Sequence, residues 1–159
     1  MQASQYEKTI SINGGEDILL RTEYVGADEY IDFLRRSDLG KQYPKEDFKQ
    51  RITELVKNVQ ISLIARNGQN QIVGICFGIT DFVYWLMITD LGVDRAYEKR
   101  GLGKIMMEVA HDLAGGEKNI ILFAYANDSA IPFYKKIGMR KTDSMMIKDN
   151  IEWTEFVVE

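Results

Sequence analysis

A single cysteine, a single histidine and only two prolines stand in the 159 residues of this chain. With Cys76 alone, no disulfide can close within the chain, and a reducing compartment, the cytoplasm, is the expected location. One cysteine and one histidine cannot assemble a His/Cys metal cluster, and no metal is expected. A Ser-His-Asp triad would have to be built on His111. That residue falls two positions after Val109, off the apolar stripe of its helix, where a solvated surface side chain is expected. Basic charge is also short: 20 Lys and Arg stand against 24 Asp and Glu, a net charge of −4. Nucleic-acid binding needs a clustered basic face, so no nucleic-acid partner is expected, and an anionic membrane surface is disfavoured. No apolar run approaches the roughly 20 residues of a membrane span. The first eleven residues hold no apolar signal core, so no membrane association is expected. Repeats, low-complexity segments and Pro- or Gly-rich linkers are absent as well. Residues 1–159 are expected to form a single domain, with 1–16 a loose arm or a short extra strand.

What is present fits a soluble globular domain: 45% hydrophobic and 28% charged residues. A chain of this length buries roughly 70% of the surface it would expose unfolded, so no covalent staple is required. Ile18 to Val25 reads as a strand. Ala27 to Leu39 carries Tyr30, Phe33 and Leu34 at helical spacing. A second helix is expected from Pro44, where proline suits the first turn, with the stripe Phe48, Ile52, Leu55, Val56 and Val59. Two apolar, β-branched runs follow, Ile61 to Arg66 and Ile72 to Thr80, joined by a hairpin signal at Asn67-Gly68. Tyr84 to Val93 extends the meander. Leu102, Ile105, Met106, Val109 and Leu113 mark an amphipathic helix that Gly115-Gly116 ends. Asn119 to Tyr125 reads as a buried strand, and Ala130, Phe133, Tyr134 and Ile137 as a short helix. Final strands are expected over 144–147 and 152–158. The fold class is therefore α/β in the α+β sense. It combines a mixed, mostly antiparallel central sheet, helices on both faces and one parallel βαβ crossover.

The informative stretch opens at Leu91-Gly92-Val93 and runs through Lys99-Arg100-Gly101-Leu102-Gly103-Lys104. A strand enters a glycine-bearing turn and an amphipathic helix leaves it. The first N–H groups of a helix lack partners and carry about half a positive charge, so they attract anions. Glycine lets several of them converge on a phosphate. Lys99, Arg100 and Lys104 add cations at the same end. Taken alone, the pattern also suits a tight packing turn or a Rossmann phosphate loop. Against the latter, Met106 stands where a third glycine would be, and the upstream hairpin does not fit a doubly wound sheet.

Further on stand Asn127, Ala130, Phe133-Tyr134 and Gly138-Met139. Together with Leu91-x-Val93, Tyr97 and Gly101-x-Gly103, this resembles the GCN5-related N-acetyltransferase superfamily. The motifs cover about a third of the chain, and the element order extends the likeness over most of it. The resemblance implies that acetyl-CoA lies where the strands holding Tyr84–Val93 and Asn119–Tyr125 splay apart. Leu91, Gly92 and Val93 would meet pantetheine, and the turn from Lys99 and Arg100 through Gly101, Leu102, Gly103 and Lys104 would hold the pyrophosphate. Asn127 resembles a cofactor contact, although an asparagine there also suits a helix cap. Tyr134 resembles the family's proton donor, since a phenol is still protonated at neutral pH; its bland reading is a core aromatic. Asp90, on the strand beside the cleft and facing away from Leu91, is a candidate base, with Asp81, Tyr84 and a water chain as alternatives. Cys76 reads as core filler. Glu98 and Met139 depart from the family pattern, which has Gln or Arg and Phe at those places. The implied activity is direct transfer of acetyl to a primary amine of a small metabolite or amino-acid-like acceptor. A protein lysine or N-terminus is the second acceptor class, and the oligomeric state stays open, with a homodimer one option. The alternative function class is an acyl-CoA-binding module without turnover, against which the presence of Tyr134 speaks.

Overall fold

The computed structural model describes residues 3–159. A single sheet of six strands forms its centre: β1 (Glu7–Ser11), β2 (Asp17–Thr22), β3 (Ile61–Arg66), β4 (Ile72–Thr80), β5 (Trp85–Val93) and β6 (Ile121–Ala124). They lie in chain order, antiparallel at every step except β5–β6, which is parallel. The parallel step requires a crossover, and α3 (Leu102–Ala114) supplies it. Helices α1 (Ala27–Arg35) and α2 (Phe48–Asn58) follow β2, and α4 (Ile131–Lys136) follows β6.

Both faces of the sheet are covered. Tyr30, Phe33 and Leu34 of α1 and Ile52 and Val56 of α2 pack with Ile64, Ile75 and Phe77 on one face. On the other, Leu102, Met106, Met107 and Ala110 of α3 pack with Leu63, Val73, Cys76, Leu86 and Ile88. Because helices cover β3 and β4 from both sides, every residue of β3 is buried, and the run reads as continuously apolar instead of alternating.

Of the two expectations for 1–16, the short extra strand forms: β1 is an edge strand paired with β2 from Glu7↔Arg21 to Ser11↔Asp17. Several other expectations need correcting. The first helix stops at Arg35, and a separate 3₁₀ turn covers Asp38–Lys41. The second helix starts at Phe48, after Asp47 in the left-handed region, and not at Pro44. Pro44 instead pairs with Glu155, the Lys45 N–H donates to the Thr154 carbonyl, and the Glu46 carboxylate accepts from the Thr154 N–H. That partnership explains the C-terminus too. Among the described residues, no strand forms over 144–147 or 152–158, because the last residues are spent on the 40–46 segment. Val158 donates to the Gly40 carbonyl and is buried beside α1. With no neighbour beyond it, β6 is an edge strand, so Ile121 is exposed where a buried strand was expected. The β3–β4 hairpin forms, but its loop spans 67–71. Asn67 caps it through Oδ1 and Asn70, not the Asn67-Gly68 pair, takes positive φ. His111 is half-buried and bonds the Ile120 carbonyl at 2.7 Å, tying α3 to the start of β6.

Candidate acyl-transfer site

The site begins with a splay. β5 and β6 pair only from Trp85↔Ile121 to Ile88↔Ala124. β6 ends there, while β5 runs on to Val93 beside β4 alone. The Thr89–Val93 edge therefore faces a gap where an extended ligand can pair with backbone. A bulge sets what each side of this edge presents. Phe77 pairs with Asp90 but Gly78 with Ile88, leaving Thr89 as the extra residue. Before the bulge, Leu86 and Ile88 face the α3 side; after it, Leu91 and Val93 do, while Asp90 and Gly92 turn to the α1–α2 side. Gly92 sits under Leu39: a methyl built on it would stand 2.5 Å from the Leu39 Cδ1 atom.

The helix end next to the gap suits an anion. Gly101, with φ +86°, precedes the first turn of α3, and Lys99 before it also takes positive φ. The left-handed pair turns the chain so that the amides of Leu102, Gly103 and Lys104 open α3 without an intrahelical partner. Gly103 leaves space: a methyl there would reach only ordinary contact with the Phe133 ring, at 3.4 Å. The three cations differ in availability. Lys99 is exposed, and Lys104 is exposed with Glu108 3.8 Å away. Arg100 is occupied. Its Nε donates to the Asn13 carbonyl at 2.8 Å, its guanidinium lies 5.3 Å from the Tyr97 ring centre, and Asn13 N–H donates back to the Arg100 carbonyl. The β1–β2 turn thus braces the phosphate-side loop, and Arg100 contributes that brace and its backbone. Glu98 is exposed and, among the described residues, makes no ion pair.

On the α1–α2 side, Asp90 reaches a cavity of about 670 Å³ walled by Tyr43, Phe48, Arg51, Thr89 and Trp153. Burial raises the Asp90 carboxyl above the usual range, and hydrogen bonds from Tyr43 and Thr89 offset part of that rise. The Tyr43 hydroxyl donates to Asp90 Oδ1, and the Tyr30 hydroxyl lies 2.7 Å from that of Tyr43. Burial raises both phenols well above their ordinary value. The end of α1 is tied to the end of β5. Arg36 bonds the buried Asp94 carboxylate, and the Arg95 side chain donates to the Ser37 and Arg35 carbonyls. Sequence reading did not find Tyr43 or Arg36. Their partners lie 47 and 58 residues away, and no local pattern carries such a pairing.

Tyr134 occupies the other face. It is half-buried against the α3-side core, edge-on to Phe133 at 5.2 Å. Burial, and then proximity to Cys76, raises its phenol. Tyr134 and Leu91 pack against the same α3-side cluster, on the face of the sheet opposite to Asp90. Cys76 is fully buried, and burial followed by the Asp90 charge drives its thiol far up, which makes it inert core. Asn127 is exposed and its Oδ1 accepts from the Ala130 N–H at 3.0 Å, shaping the entry to α4. Asp81 accepts from the N–H groups of Val83, Tyr84 and Trp85 and so builds the β4–β5 turn. At about 3.3 Å per strand residue this lies on the order of 15 Å from Asp90. Among the described residues no group of three or more His, Cys, Asp or Glu converges as a metal site would require.

The profile of the acetyltransferase (GNAT) family matches residues 28–139. A GNAT family protein from Streptococcus pneumoniae superposes with a TM-score of 0.62 at 16% identity, over 84% of this chain and 99% of that one. An aminoglycoside acetyltransferase from an uncultured soil metagenomic sample, solved with sisomicin, superposes at 0.59 and 18% identity, over 84% and 97%. Glucosamine-6-phosphate N-acetyltransferase from Arabidopsis thaliana does so at 0.59 and 14% identity, over 83% and 99%. No curated protein matches the chain at the level of sequence.

Proposed function

Because the chain belongs to the GNAT acetyltransferase family, we propose that it binds acetyl-CoA and transfers the acetyl group directly to a primary amine of a small metabolite or amino-acid-like acceptor. The observation that carries this reading is the open Thr89–Val93 edge, with a phosphate-suited helix end at one end and a proton donor and a carboxylate on its two faces.

The residues fit the cofactor. The Thr89–Val93 backbone offers unpaired strand groups to pantetheine, and the opening amides of α3 with Lys99 and Lys104 offer an anion site to pyrophosphate. Bound there, acetyl-CoA supplies an activated thioester. Asp90, whose carboxyl burial has made more basic, takes a proton from the acceptor ammonium and leaves a nucleophilic amine. Tyr134 keeps its proton through the neutral range, because its phenol lies above its ordinary value, and holds it toward the departing sulfur. The β4–β5 bulge matters here: without Thr89 as the extra residue, Asp90 would face α3 and the acid and base would crowd one side of the strand. The acceptor enters by the α1–α2 side, where the cavity has aromatic walls and Asp90 at its floor. Thiol release from acetyl-CoA against a panel of amines, with mass spectrometry of the products, tests the reading. Cofactor binding without thiol release for any amine would favour the binding module instead.

A further inference from the structure

We propose that Tyr43 is a positioning residue for Asp90, and that Tyr30 completes behind it a hydrogen-bond chain that fixes the carboxylate toward an amine entering the cavity. The inference rests on the acetyltransfer reading above. An ionised carboxylate only accepts hydrogen bonds. Tyr43 therefore donates to Asp90 Oδ1, its oxygen is left as an acceptor, and Tyr30 donates to it across 2.7 Å. The chain has one polarity, from the core outward to the carboxylate. Its inner end is immobile: Tyr30 is fully buried, with ring centres 6.3 Å from Phe33 and 5.1 Å from Phe77. Its middle is held edge-on, the Tyr43 ring standing at 84° to Tyr30. The chain on either side of Tyr43 is also fixed, by the 3₁₀ turn before it and by the Pro44–Glu155 pairing after it.

The surroundings make this chain consequential. Facing Asp90 are Tyr30 from α1 and Tyr43 from the 42–44 segment, with Asp47, Arg51 and Glu54 at and along α2 around the cavity; Cys76 of β4 lies on the opposite face of the sheet. The two phenols nearest it are neutral near pH 7, because burial raises both of them. Hydrogen bonds, not a counter-charge, therefore stabilise the ionised carboxylate. Tyr43 holds Oδ1 and Thr89 gives the carboxylate a further hydrogen bond, so Oδ2 is the oxygen that Tyr43 does not occupy and that an acceptor can meet. In the step, an N–H bond of the ammonium breaks and an O–H bond forms at Oδ2. The nitrogen keeps the electron pair, and Tyr43 keeps its proton and its bond to Oδ1. The chain thus sets the orientation of the base and the pH at which it works.

The test is Tyr43→Phe, read in two ways. The first follows the Asp90 carboxyl by ¹³C NMR in protein labelled at aspartate; the second is the pH profile of kcat/KM for the best amine found. A hydrogen bond to a charged group changes a pKa by about one unit. In the variant, both the NMR titration and the acidic limb should move up by about that much, with the alkaline plateau near the wild-type value. Tyr30→Phe, which leaves the Tyr43–Asp90 bond in place, should move both in the same direction by less. It also serves as the second variant if Tyr43→Phe fails to fold. An equal loss of rate at every pH, with the NMR titration unmoved, would overturn the positioning role while the acetyltransfer reading stood. A shifted NMR titration with an unshifted limb would overturn the assignment of Asp90 as the group that Tyr43 serves in catalysis. Wild-type protein that releases no thiol with any amine would overturn the acetyltransfer reading and the relay with it.

Discussion

Replacing Tyr134 with phenylalanine separates its chemical role from its packing role unusually well. The ring is half-buried and packs edge-on to Phe133, and phenylalanine keeps both contacts. Among the described residues the hydroxyl makes no hydrogen bond, so its removal orphans no partner. A loss of stability within about 0.5 kcal/mol is expected, as for a substitution that breaks no named feature. The effect on rate should be large. A positioned general acid contributes about 10²-fold or more, which corresponds to roughly 2.7 kcal/mol at 1.36 kcal/mol per factor of ten. The loss should fall on kcat, with the acetyl-CoA dissociation constant nearly unchanged, because the phenol acts on the departing sulfur and not on the cofactor's phosphates. The assay is thiol release under saturating acetyl-CoA, paired with a single-turnover experiment to establish that chemistry limits the rate. A melting temperature close to wild type together with a single-turnover rate close to wild type would refute the assignment and return Tyr134 to the core.

Asp90→Asn should change how stability depends on pH. Burial raises the folded-state carboxyl above its unfolded value, so the wild type loses stability as pH rises from about 4 through the raised value. The variant lacks that loss, so its melting-temperature difference from wild type should change as pH rises from about 4 through the raised value and level off above it. A constant difference would show that Asp90 titrates normally. Gly92→Ala drives a methyl to 2.5 Å from the Leu39 Cδ1 atom in a packed layer and should cost about 1–3 kcal/mol in denaturant unfolding, as overpacking does. On the phosphate side, Lys104→Ala should weaken acetyl-CoA binding, and Glu98→Arg should tighten it several-fold. Both effects should shrink at high salt, because exposed charges are screened over roughly 10 Å at 0.1 M. Calorimetry at two ionic strengths checks the pair, and a salt-independent change would point to loop shape instead.

The parts of the fold legible in the sequence are those fixed by local pattern. The buried runs of β3 and β4, the stripe of α3 with its glycine stop, and the glycine-bearing entry to α3 all formed where periodicity placed them. What was hidden depended on distant partners. Met145, Ile147 and Phe156 alternate as strand residues do, yet 144–147 stays unpaired, and Phe156 packs on Phe48 because the last residues clasp the 40–46 segment. Pro44 reads as a helix start for the same reason that it fails as one: its φ suits either state, and Glu155 decides between them. Asp90 was legible as a carboxylate facing away from Leu91. The bulge at Thr89, which sets the face it occupies, has no glycine or proline to announce it. For Arg100 the hidden part was a distant partner: its charge suits a phosphate, and its Nε also donates to the Asn13 carbonyl while its guanidinium lies by the Tyr97 ring.

The central claim is that the opening of α3 and the free edge of β5 hold acetyl-CoA, and binding to the wild-type protein tests it most directly. Protein freed of any co-purified cofactor would be titrated with acetyl-CoA while its thermal unfolding is followed. At 100 times the dissociation constant a ligand adds roughly 2.7 kcal/mol, which for a domain of this size raises the melting temperature by about 5–10 °C. Gly101→Ala, which forces a side chain to φ +86° at the entry to α3, should blunt that rise. A clear upward shift in the wild type is the predicted result. Folded protein whose melting temperature does not move at millimolar acetyl-CoA would contradict the account.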